Sequence, residues 1–179
     1  MPTFGSTPTF NWYEWNGVNT ENEIAHDLAT MPAEGDITSI SCYFGGDGAT
    51  VQAKLCIWDA ATGLLLAATP AFTASAGSRA VGGQAWQTQD LSSPLHLPAG
   101  KQIYIGWWRA PSGSAVFSTN NTSGNNKHKT DTSGSPGSLS GALNDTGVIG
   151  AYATYTAAPP PSGSRVWVTA TAIKISYPA

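Results

Sequence analysis

Charge is the scarcest thing in this sequence. Only 11% of its 179 residues are Asp, Glu, Lys or Arg, against roughly a quarter in an average soluble domain. Eight basic residues against eleven acids leave a formal net charge of −3. Reading nucleic-acid phosphates takes clustered Lys and Arg, so no nucleic-acid partner is expected. Long apolar runs are missing too. None approaches the roughly 20 residues of a membrane-spanning helix, and no membrane insertion is expected. The opening "MPTFGSTPTF" has neither a basic start nor an apolar stretch, so no secretory signal is expected.

Catalytic signatures are equally sparse. His26, His96 and His128 lie on different segments, with no H-x-x-x-H or Cys-x-x-Cys beside them, which argues against zinc. There is no G-x-S-x-G elbow and no glycine loop that would cradle a phosphate. No cofactor is expected, and a structural Ca²⁺ near the first strand has no ligand spacing behind it. Glu14, Glu21, Glu23, Asp59 and Asp90 are candidates for the carboxylate pair of a glycoside hydrolase. Scattered acids read more simply as solvated surface groups, and the chain is expected not to be an enzyme.

What the sequence does have is a period of two. Gly, Pro and Asp punctuate alternating segments every 8–12 residues or so, the pattern of an all-β sandwich or barrel. Strands are expected over 22–30, 37–44, 51–58, 63–69, 85–91, 95–97, 102–109, 114–118, 148–156 and 165–177. An antiparallel two-sheet β-sandwich of jelly-roll type is the economical architecture. Residues 1–20 carry Phe4, Phe10, Trp12, Tyr13 and Trp15 among Pro and Gly. They read as an extended arm contacting a neighbouring copy, with a first strand on the same chain as the alternative. Residues 21–179 form the sandwich domain. Within it, "TNNTSGNNKHKTDTSGSPGSLSGALNDTG" (119–147) has almost nothing to bury and reads as a long exposed loop.

Alternation also sorts side chains by face. Ile40, Cys42 and Phe44 share a core face, whereas Cys56 lies opposite Val51, Ala53, Leu55 and Ile57. Cysteines on opposite faces should stay unpaired. In "KQIYIGWWRA" (101–110), Ile103 and Ile105 mark the core side, so Trp107 is the buried indole. Tyr104 and Trp108 then point outward, in company with Trp58 and Trp167. Such a stripe suits contact with the arm or another subunit, or stacking on the apolar face of a sugar ring. If it is exposed, truncating Trp108 should leave stability nearly unchanged.

Three stretches resemble the β-sandwich domains of bacteriophage minor tail and tail-fibre proteins, especially of actinobacterial phages. They are "ITSISCYFGGDGATVQAKLCIWDAATGLLLAAT", "AWQTQDLSSPLHLPAGKQIYIGWWR" and "GVIGAYATYT". The resemblance covers roughly residues 22–156 and consists of turn glycines and core aromatics. It implies a jelly-roll, carbohydrate-binding-like fold, but fold alone confers no sugar binding. It also implies a non-enzymatic structural protein of a tailed-phage virion, either minor tail or tail-tip, or decorating capsid or tail. Such a protein is made in the host cytoplasm, and its partners are other virion proteins and copies of itself. A host-adsorption module recognising cell-surface glycan is the alternative.

Overall fold

In the computed structural model, residues 1–16, 21–110, 114–119, 126–131, 134–145 and 148–159 are described. They form fourteen strands. The first seven are β1 (Thr3–Ser6), β2 (Trp12–Asn16), β3 (Glu21–Thr30), β4 (Gly35–Asp47), β5 (Val51–Asp59), β6 (Leu65–Ala68) and β7 (Phe72–Ala74). The rest are β8 (Ala76–Gly77), β9 (Ala85–Leu97), β10 (Gln102–Arg109), β11 (Ala115–Thr119), β12 (Asn126–Asp131), β13 (Leu143–Asp145) and β14 (Ala151–Ala157). Two seven-stranded sheets result. One runs β1-β14-β4-β11-β2, with β8 and β9 also on β4; the other runs β13-β12-β3-β10-β5-β6, with β7 on β5. Every pairing is antiparallel except the two-residue contact of β8 with β4. The longer strands alternate between sheets along the chain, which gives the interleaving of a jelly-roll-type sandwich.

The inward faces follow the alternation of the sequence. Ile37, Ile40, Cys42 and Phe44 of β4 meet Leu55, Ile57, Ile103, Ile105 and Trp107 of the opposite sheet in one continuous core. Trp107 stacks on Phe44 with ring centroids 4.7 Å apart and meets Phe117 edge-on at 5.9 Å. Both cysteines are buried, and neither is in a disulfide. Cys42 lies in this core and Cys56 behind the second sheet, as their parity requires. Burial pushes the Cys42 thiol well above its ordinary pKa.

The expected segments 85–91 and 95–97 are one strand. β9 stays paired with β4 on either side of a slip between Ile37 and Ser39, where Leu91 to Pro94 have no register partner on β4. Pro94 is tolerated there because no ladder hydrogen bond is asked of it. The expected strand 165–177 lies outside the described residues.

Two expectations are corrected. The N-terminal arm belongs to its own sandwich. β1 pairs with β14 from Thr3↔Thr154 to Ser6↔Ala151, and β2 pairs with β11 from Trp12↔Thr119 to Asn16↔Ala115. Phe4 packs edge-on against Tyr155 at 5.6 Å, and Phe10 stacks on Tyr43 at 4.5 Å. Ladder edges on β14 and β11 supply the order that Pro and Gly deny to the arm by itself. The side chains of Trp12, Tyr13 and Trp15 lie outside the described residues. The second correction concerns 119–147, which is not a free loop: β12 pairs with β3 and β13 with β12, extending the second sheet.

Candidate binding face

The anticipated stripe is correctly placed but not exposed. Tyr104, Trp108 and Trp58 do share the outer face of the second sheet, since Tyr104 pairs with Trp58 and Trp108 with Lys54. They are nonetheless buried, at 8%, 5% and 0% exposure. With Cys56 and Leu139 they form a second hydrophobic cluster. A strap, residues 134–142, covers it. The Trp58 indole Nε1 donates to the Gly137 carbonyl at 2.8 Å, and Leu139 inserts beside it with 3% exposure. Lys54 and Lys127 add ammonium groups 6.0 Å and 5.7 Å from the Trp108 and Tyr104 rings. Trp167 lies outside the described residues.

The strap is held from below by the turn after Trp58. The Asp59 carboxylate accepts from the Ala61 and Thr62 amides at 2.8 and 3.0 Å and from the Lys101 ammonium. Gly63 closes the turn at φ +71°, a conformation glycine adopts without strain. Its carbonyl then accepts from the Leu139 amide at 2.8 Å and the Ser138 hydroxyl at 3.1 Å. The Lys101 hydrogen bond, aided by the Thr62 and Ala61 amides and opposed by burial, lowers the Asp59 pKa from 3.8 to about 2. A depressed folded pKa contributes stability above the unfolded value that is lost as pH falls through the folded one. Asp59→Asn should therefore be less stable than wild type at pH 7, and the gap should close between about pH 4 and pH 2. Urea midpoints measured across that range check it; an equal gap at both ends would contradict it.

The other anticipated residues do not converge on chemistry. His96 is exposed, with Nδ1 2.8 Å from Asp36 and Nε2 3.3 Å from Glu34; the Asp36 contact raises its pKa. His128 lies on β12, and the side chains of His26, Glu14, Glu21 and Glu23 lie outside the described residues. Asp59 belongs to the second sheet's turn and Asp90 to the first sheet. Among the described residues, no group of three or more His, Cys, Asp or Glu is placed to hold a metal ion. No helix among them is long and apolar enough to cross a membrane. A hollow of about 370 Å³ opens beside Tyr104, walled by Leu28, Ala60 and Gln102, but its cation Lys101 is engaged by Asp59.

An exposed aromatic surface lies elsewhere, on the outer face of the first sheet. Tyr43 and Trp86 are cross-strand partners with rings 5.4 Å apart. Trp86 reaches Tyr152 at 5.0 Å, and Phe10 backs Tyr43. Gly150 makes room for them: a Cβ there would come 2.8 Å from the Trp86 ring and 3.0 Å from both Phe10 and Tyr43. Trp86 remains 38% exposed, the one aromatic among the exposed large apolar side chains of the described residues. The alternation that puts Cys42 and Phe44 inside puts Tyr43 outside. Trp86 leaves no clear alternation in the sequence, because its inward neighbour is the polar Gln87, whose amide donates to the Phe44 carbonyl at 3.1 Å.

Comparison with protein-family models and with curated proteins finds no match to this chain.

Proposed function

We propose that this chain is a non-enzymatic structural protein of a tailed-bacteriophage virion, of the minor-tail or decoration kind. Its partners on the particle exterior are other virion proteins and copies of itself. The observation that supports this most is where the residues of the tail-domain resemblance sit. Asp59, Gly63 and Gly100 shape turns, while Trp58, Trp107, Trp108 and Tyr155 fill the two hydrophobic clusters. The residues of the resemblance thus serve the fold, which suits a structural module. A second reading, a host-adsorption module that binds cell-surface glycan, is favoured by the open ring surface around Trp86. Antibody raised against the purified chain should label intact particles in electron micrographs. Label confined to free protein in the lysate would overturn the virion assignment.

A further inference from the structure

We propose that the outer face around Trp86 is a carbohydrate subsite for a neutral, pyranose-based glycan; the inference rests on the host-adsorption reading. The face is a small lattice built by β14, β4 and β9. Its first row is Gly150, Tyr43 and Trp86, with the Tyr43 amide bonded to the Gly150 carbonyl at 2.9 Å. The second is Tyr152, Ser41 and Thr88, and the third Thr154, Ser39 and Asp90. Strands about 4.8 Å apart make this patch about 10 Å wide, the scale of one sugar ring with its substituents.

Its chemistry is graded along the strands. The first row offers a flat indole held from two sides by tyrosine rings, so little side-chain freedom remains to be lost on binding. An aromatic face is electron-rich, which suits the weakly positive C–H face of a pyranose. The second row supplies the exposed Thr88 hydroxyl, held by the buried Ser41 hydroxyl with the two oxygens 2.8 Å apart. The third ends in Asp90, exposed and without an ion pair among the described residues, about 13 Å along the strand from Trp86 at 3.3 Å per residue. A carboxylate accepts from sugar hydroxyls and repels an acidic sugar. A protein or lipid partner would call instead for a wider apolar patch or a basic one. Here one exposed ring is flanked by two tyrosines, with a hydroxyl and a single carboxylate farther along its own strand.

The test is titration of the full chain with neutral hexose and N-acetylhexosamine oligosaccharides of four or more units, alongside uronic-acid oligomers. Calorimetry and the Trp86 indole NMR signal are the readouts. At least one neutral series should bind saturably and shift that signal, and the acidic oligomers should bind at least several-fold more weakly. Trp86→Ala should lower affinity tenfold or more with an unchanged melting temperature. Asp90→Asn should keep neutral binding and lose the discrimination against acidic sugars. Wild-type affinity in Trp86→Ala would overturn the subsite while leaving glycan binding intact. No binding by the wild-type chain would overturn both. Loss of self-association rather than glycan affinity in Trp86→Ala would make this face a contact between copies.

Discussion

Trp58→Ala should cost about 3–5 kcal/mol of folding stability, the range for truncating a buried Trp. Trp108→Ala should fall in the same range, not near zero as an exposed stripe would require. Trp58 has no exposed surface and is the indole to which the strap is bonded. Truncation removes the ring that Leu139 packs against and the hydrogen bond from its indole to the Gly137 carbonyl. Trp58→Phe separates these effects. It keeps most of the apolar volume and should lose about 1 kcal/mol, the net worth of an ordinary hydrogen bond. Urea denaturation of the three variants checks the order. Trp86→Ala, on the exposed face, is the internal control and should stay within about 0.5 kcal/mol of wild type. A near-neutral Trp58→Ala would mean that the strap does not cover the second sheet in solution.

Deleting residues 2–16 should leave a chain that does not fold, or folds only with a loss of several kcal/mol. The deletion strips β1 from β14 and β2 from β11, exposing two ladder edges at once. It removes Phe4 from its place on Tyr155, and with it the bond from the Tyr155 amide to the Pro2 carbonyl at 3.1 Å. Fully burying a Phe side chain contributes about 1.5–3 kcal/mol, and the half-buried Phe4 supplies part of that. Had the arm been a fastening to a neighbouring copy, the truncated chain would fold normally and fail only in assembly. Far-UV circular dichroism and amide NMR dispersion of the truncated chain distinguish the two outcomes.

Local alternation made the sandwich legible, because isoleucines at every second position state which face is inward. It placed Trp107 in the core and the two cysteines on opposite faces, and both placements hold. Alternation says which face a residue is on, but not whether that face meets water. The outer tryptophans are covered by a segment with almost no apolar signature. Leu139 is the single large side chain it inserts, and its hold includes polar bonds through Gly63, Gly137 and Ser138, the last also accepting from the Lys129 ammonium at 2.7 Å. Such bonds leave no mark in a hydrophobicity pattern. The arm was obscure for a related reason, since four- and five-residue edge strands between Pro and Gly are too short to show a period. Trp86 was hidden by Gln87, a polar residue at an inward position.

This fold covers one outer tryptophan face and leaves another open. Hydrogen exchange of the assigned indole N–H groups tests it most directly. Trp58, bonded to Gly137 and buried, should exchange orders of magnitude more slowly than a free indole, and Trp86 should exchange at nearly the free rate. Fast exchange at Trp58, or strong protection at Trp86 in the isolated protein, would contradict the account.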